Sequence, residues 1–219
     1  MSYDLWYEED IVMLDTETTG LDAHDRVIQV GLARFSCGKL VDTWGSLVWA
    51  GVEIPDEATK IHGIRTVDVA DAPPWTAVLP RIVDMSRGAR PAAYNANFDK
   101  RMFFAEMAKL HVDFQDLLPI FHPHTRWIDP LIWVRSLDRF VKGKGRHKLA
   151  IACERRNVPL ANAHDAVADA VAAGRLLWEM RNEIGDMTVT ELLRQQFLLS
   201  EAQERQFAAW RARQQGVGR

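Results

Sequence analysis

Apolar positions fall in short unbroken runs over the first half of the chain and at helical spacing over much of the second. Ile11 to Leu14 is an apolar run held between Glu8-Glu9-Asp10 and Asp15-Thr16-Glu17-Thr18-Thr19-Gly20, the pattern of a strand buried on both faces. Arg26 to Phe35 and Leu40 to Trp49 are rich in β-branched and aromatic residues, and Ser36-Cys37-Gly38-Lys39 between them predicts a hairpin turn. Three antiparallel strands therefore open the fold. Pro55 to Ile61 and Trp75 to Met85 predict two helices, the second entered from Ala72-Pro73-Pro74.

Pro91 to Tyr94 predicts a fourth strand, followed by a helix from Asn97 to about Leu110, and Arg126 to Ile128 is an apolar stub predicting a fifth. Beyond Asp129-Pro130 the period is helical: Leu131, Trp133, Val134 and Leu137 mark one helix and Leu149 to Arg156 another. Asn162 is the expected cap of a long alanine-rich helix reaching about Arg181. After Gly185-Asp186, Thr188 to Leu198 and Ser200 to Arg213 read as two helices, with Ser200 and Gln203 as a capping box. Strands first, then strands alternating with helices, imply an α/β fold: a mixed five-stranded sheet flanked by helices. Residues 1–185 are expected to form one domain and 186–219 a C-terminal helical extension, packed on that domain or bound to a partner.

Composition narrows the setting more than the chemistry. At 219 residues with 47% hydrophobic and 26% charged residues, the chain can bury its own core, and disordered or fibrous readings are excluded. Two cysteines, Cys37 and Cys153, support neither a disulfide framework nor a cysteine zinc site, so a reducing, cytoplasmic location is expected. Met1 to Asp10 carry acids and no Lys or Arg, unlike a signal peptide, and no apolar run is long enough for a membrane span. The net charge of −3 hides two regions: residues 1–25 hold eight acids and no Lys or Arg, whereas Arg135 to Arg156 hold eight Lys or Arg against Asp138 and Glu154.

Carboxylates stand where the predicted strands end. Asp15 and Glu17 are two apart on an extended backbone, so they point to one side and can share an ion; Asp99 and Asp169 must arrive from elsewhere. Four oxygen donors without a cysteine suit Mg²⁺ or Mn²⁺ rather than zinc. Taken singly, each acid is more often a cap or a surface group.

Asp-Thr-Glu-Thr-Thr-Gly at 15–20, Tyr-Asn-Ala-Asn-Phe-Asp at 94–99 and His-Asp-Ala-Val-Ala-Asp at 164–169, in that order, resemble the three motifs of the DnaQ-like 3′-to-5′ exonucleases with a DEDDh site. That family includes the proofreading subunit of the bacterial replicative polymerase, the TREX enzymes and ribonuclease T. Residues 54–64 and 127–131 are also similar to it, and the likeness spans roughly residues 8 to 182. The resemblance implies an RNase H-like fold, two metal ions, Asp15, Glu17, Asp99 and Asp169 as metal ligands, and His164 as the base. It places Asp15 between the ions, Glu17 and Asp169 beside the attacking water, and Asp99 at the second ion. An imidazole, with an ordinary pKa of about 6.5, is suited to accept the proton of that water. Asp165, four before Asp169 on the same helical face, competes with it; the motif spacing selects Asp169.

The resemblance also implies substrate contacts. Thr18, Gly20 and Leu21 would line the pocket of the 3′-terminal nucleotide, His62 and Phe98 would pack on it, and Asn95 would order the second motif; Phe98 could equally be a core aromatic. Lys144 and Arg146 belong to a glycine-spaced basic loop, Lys142 to Lys148, that could hold phosphates behind the scissile bond. The net acidity favours a single-stranded or frayed 3′ end over a wrapped duplex. The eight tryptophans are scattered over strands and helices and read mostly as core. Gln195 to Leu199 loosely resembles a sliding-clamp peptide, although such peptides bind extended and this one reads as helical.

The leading expectation is a metal-dependent 3′-to-5′ exonuclease acting on single-stranded DNA, for proofreading or repair. An exoribonuclease of the ribonuclease T or oligoribonuclease kind is the near rival, since nothing in the chain reads the 2′-hydroxyl. His164-Asp165 also resembles the dipeptide of HD-type phosphohydrolases, but those are helical and need a further upstream histidine and acid. A non-catalytic module that binds a polymerase or clamp is the remaining alternative.

Overall fold

In the computed structural model of the protein, residues 4–22, 24–110 and 122–216 are described. Strands β1 (Asp10–Thr18), β2 (Val27–Ser36), β3 (Lys39–Leu47) and β4 (Arg90–Ala92) form one sheet in the order β3-β2-β1-β4, with β4 parallel to β1 and the other pairings antiparallel. Among the described residues the sheet thus has four strands, not five. The 126–128 stub joins through one parallel bridge, Ala92 to Ile128, with the Ala93 N–H donating to Ile128 and the Ile128 N–H to Pro91, both at 3.0 Å; Pro91 and Pro130 lack the N–H groups that would extend it on either side.

Helices α1 (Asp56–His62), α2 (Thr66–Val69), α3 (Trp75–Ser86) and α4 (Ala96–Lys109) precede the second half of the chain. There α5 (Pro130–Leu137), α6 (Leu149–Arg155), α7 (Ala166–Glu179), α8 (Arg181–Ile184) and α9 (Val189–Gly216) follow. Two expectations change. The alanine-rich helix starts at Ala166, capped by Asp165, whose carboxylate accepts from the Ala168 N–H at 3.0 Å; Asn162 lies in the turn before it. The C-terminal residues form one continuous helix, so Ser200 is an interior residue and not a cap. Its Gln203 amide donates to the Ile132 carbonyl in α5 at 2.9 Å, and Gln196 is buried higher on the same face.

The alternation of β1 explains both cores and the site between them. Ile11 and Met13 face the core built with α5, α6, α7 and the start of α9, whereas Val12 and Leu14 face the core of α3 and α4. Asp15 and Glu17 continue the first row and Thr16 the second. A carboxylate pair therefore emerges on the α7 side, and a hydroxyl on the α4 side.

Small residues let α7 press onto the sheet. Ala166, Ala170, Ala172 and Ala173 are buried along it, and Gly31 of β2 lies opposite Asp15 in the ladder. A Cβ at Gly31 would stand 2.2 Å from the Ala166 backbone carbon, which no rotamer can relieve. We expect Gly31→Ala to lift the start of α7, costing at least the ~1–3 kcal/mol typical of overpacking. It should also lower activity more than stability alone explains. Unchanged melting and turnover would show that α7 does not need this approach.

Candidate active site

Four carboxylates converge at the C-terminal end of β1. Asp99, in the first turn of α4 and 2% exposed, accepts from the Thr16 backbone N–H (3.0 Å) and hydroxyl (2.8 Å) through Oδ1. Asp169, in the first turn of α7, accepts from the His164 N–H at 3.3 Å through Oδ2. Its other oxygen is buried and has no hydrogen-bond partner. Atoms of Glu17, His164 and Asp169 capable of holding a metal lie within 4.8 Å of one another. A buried carboxylate oxygen left unpaired among other acids is what a hard divalent cation would satisfy, so the residues present fit such an ion.

Crowding and burial act together on these groups. Burial, then the charges of Asp99, Asp169 and Glu17, push Asp15 well above the carboxylate range, although it keeps some surface open to the cleft. Burial and the Asp169 and Asp99 charges raise Glu17 to about 8; burial raises Asp99 to about 7 against the opposing Thr16 hydrogen bonds. Asp169 is also raised, chiefly by burial. Such a set is strained without a cation and relieved by one.

Between the ordinary carboxylate range and about 8, folded Glu17 keeps a proton that the unfolded chain has released, so its contribution falls as pH rises through that window. Without metal, we expect Glu17→Gln to melt above the wild type at about pH 8 and to match it near pH 5. Adding Mg²⁺ or Mn²⁺ should raise the wild-type melting temperature at the higher pH and shift the variant far less. Equal metal shifts in both proteins would remove Glu17 from the ion site.

His164 reaches the cluster from a turn. It is exposed and takes a left-handed conformation (φ 68°) just before α7, while Gln29 of β2 holds the start of that helix. The Gln29 amide donates to Asp165 at 3.1 Å, and its oxygen accepts from the Ala166 N–H at 3.1 Å. Asp165 is therefore occupied as a cap, while Asp169 lies with Glu17 and His164. On the other side Asn95 is also left-handed (φ 68°) and exposed. Asp129 takes the Asn95 and Ala96 N–H groups at 3.0 Å each, and its own N–H donates to Gln196 of α9 at 2.8 Å. Thr16, Gln29, Asp129 and Gln196 thus position the site, and sequence reasoning does not assign them that work.

The residues expected to contact the nucleotide lie just beyond β1, at the end of α1 and at the start of α4. A bulge in the β1–β2 ladder at Glu17/Thr18 turns the chain out of the sheet beside the acids. The Thr18 hydroxyl donates to the Gly20 carbonyl at 2.6 Å, and Leu21 stands 74% exposed beyond it. Arg101 joins Leu21 to Phe98, donating to the Leu21 carbonyl at 2.6 Å with its guanidinium 5.6 Å from the Phe98 ring centre. Phe98 is half-buried against the α3–α4 core, so it serves packing as well as the rim. His62, at the end of α1, is near the Thr18 backbone and His164; its Nδ1 accepts from the Ile64 N–H, and burial lowers its pKa.

The basic loop is tied to this rim, since the Tyr94 hydroxyl donates to the His147 carbonyl at 2.6 Å. Lys144, with Lys142 and Lys148, lines a cavity of about 1070 Å³ that His164 and Asn95 also line. Arg146 is exposed and is not among the lining residues; its carbonyl accepts from Arg155 at 2.6 Å. Cys37 and Cys153 are free thiols, and among the described residues no helix is long and apolar enough to cross a membrane.

An acid cluster at the end of a central strand, with a histidine at its rim, defines a divalent-metal type of α/β nuclease site. Residues 12–177 match the family described as Exonuclease. The chain is 32% identical over 189 residues to a PolC-type DNA polymerase III of Caldanaerobacter subterraneus subsp. tengcongensis, covering 84% of this chain but 13% of that protein. Among solved structures, it is similar to the nuclease domain of 3′hExo, a DEDDh family member bound to rAMP (TM-score 0.66, 15% identity, 81% of this chain and 94% of that one). It is also similar to exonuclease I (TM-score 0.70, 19% identity, 87% of this chain and 43% of that one). This chain belongs to the DnaQ-like DEDDh 3′-to-5′ exonuclease family. The fold is RNase H-like, and the acid cluster with His164 is an arrangement suited to a divalent metal ion.

Proposed function

We propose that the protein releases nucleoside 5′-monophosphates one at a time from the 3′ end of single-stranded DNA, with two Mg²⁺ or Mn²⁺ ions. The observation that carries this reading is the convergence of Asp15, Glu17, Asp99, Asp169 and His164 at one strand end, with an Asp169 oxygen left unpaired. Asp15 would hold both ions, Glu17 and Asp169 would complete one site, and Asp99 would support the other. Two bound ions supply electrostatic stabilisation of the attacking and leaving oxygens.

The chain's own residues do the rest. His164 is placed beside Glu17 and Asp169 to accept the proton of the attacking water. Leu21, Phe98 and His62 hold the terminal nucleotide, with the Thr18–Gly20 backbone near its sugar. Lys144 takes a phosphate further along the strand, and Arg146 adds to the field from outside the cavity. The net charge of −3 favours a single strand over a wrapped duplex.

The likeness to a polymerase favours proofreading or repair in the cytoplasm, with residues 1–185 as the exonuclease domain and 186–219 as an extension packed on it. A clamp contact through Gln195 to Leu199 is disfavoured, because the segment is helical and Gln196 is spent on Asp129 and Trp127. Digestion of matched single-stranded DNA, RNA and blunt duplex DNA separates the readings. Fastest loss of the DNA single strand is expected; faster loss of RNA would assign the exoribonuclease role.

A further inference from the structure

The inward stripe of α9 does not end where the domain does. Leu192 and Gln196 are buried and Gln203 bonds to α5, but the same stripe continues as Gln206, Phe207 and Trp210, with Phe207 44% and Trp210 57% exposed. These three residues line the 1070 Å³ cavity that also holds His164 and Asn95. That volume is at the top of the ~300–1,000 Å³ range of ligand cavities.

The position of this wall is fixed. Gln203 donates to Ile132 at 2.9 Å, Gln196 accepts from the Asp129 N–H and donates to the Trp127 carbonyl, and Asp129 in turn fixes Asn95. The Arg135 guanidinium lies 5.3 Å from the centre of the Phe207 ring, holding it and adding a cation to the cavity. Lys142, Lys144 and Lys148 face the same space from the basic loop. Two aromatic rings with a row of cations are the parts needed to stack bases and neutralise phosphates of a single strand.

We propose that Trp210 and Phe207 of α9 form a base-stacking platform for the nucleotides on the 5′ side of the scissile phosphodiester, with Lys142, Lys144 and Lys148 taking their phosphates. The proposal rests on the exonuclease reading of the same cleft. It gives the C-terminal helix a substrate-binding role: the platform acts on strands long enough to reach it and not on the terminal nucleotide.

The test uses the full chain and two measurements. Binding of a labelled twelve-nucleotide single-stranded DNA, followed by fluorescence anisotropy in EDTA, needs no catalysis. Trp210→Ala and Phe207→Ala should each weaken it by about 10-fold, with Trp210→Phe close to wild type. Turnover with Mn²⁺ should show the same loss as a rise in KM for the twelve-nucleotide strand. Hydrolysis of the p-nitrophenyl ester of thymidine 5′-monophosphate, too short to reach α9, should stay unchanged. Unchanged binding in both alanine variants, or an equal loss on the long and short substrates, would overturn the platform. So would a dimer that dissociates in Trp210→Ala without any change in oligonucleotide binding, since it would assign the face to a second copy. If the wild type binds the strand through Trp210 but hydrolyses neither substrate, the exonuclease reading fails and the platform stands.

Discussion

Replacing Asp15 by asparagine is expected to abolish nucleotide release in both Mg²⁺ and Mn²⁺ while leaving the protein folded. The residue sits at the end of β1 with Asp99, Asp169 and Glu17 around it, and the charges of all three push its pKa upward. Loss of a group that merely orients a metal ligand commonly costs ~10–100-fold; loss of the carboxylate proposed to hold both ions should cost more. Asparagine keeps the shape and removes a buried charge, so the metal-free melting temperature should hold or rise. The rise that Mn²⁺ gives the wild type should shrink. A variant that retains turnover, or one that melts early without metal, would contradict this place for Asp15.

His164→Asn is the second large effect, with an expected loss on the order of 10² to 10⁴ in rate, the usual worth of a general base. Asparagine is the appropriate replacement because residue 164 is left-handed, and asparagine tolerates that region where alanine would add strain. The ring lies within 4.8 Å of Glu17 and Asp169 atoms, close enough to hold metal instead of taking a proton. The two roles part in the melting experiment. As a base, His164 can be lost with the metal-induced rise intact; as a ligand, its removal lowers that rise together with the rate. Full activity in the variant would remove His164 from the chemistry.

What the sequence makes legible here follows the range of the interactions. β1 is legible because four apolar residues end in carboxylates, and the alternation that buries Met13 also points Asp15 and Glu17 to the α7 side. The motif spacing separates Asp169 from Asp165, but the start of α7 is not readable: Asn162 and Asp165 are both good caps, and only the fold sets Gln29 against the second. Ser200 and Gln203 have the spacing of a capping box inside a continuous helix, because Gln203 is there to reach Ile132. The partners of Gln29 and Gln196 lie 137 and 67 positions away, and nothing local announces them. The fifth strand is misjudged for a different reason: 126–128 has strand composition, but Pro91 and Pro130 lack the N–H groups that would extend the pairing beyond a single bridge.

Removal of nucleotides from a 3′ end is the chemistry expected of the cluster at the end of β1. Product analysis of a 5′-labelled single-stranded DNA incubated with Mg²⁺ or Mn²⁺, beside an EDTA control and the Asp15→Asn protein, tests it most directly. The prediction is a ladder shortening by one nucleotide at a time, absent from both controls. An intact strand in every lane, with the wild-type protein folded and its melting temperature unmoved by either metal, would contradict it.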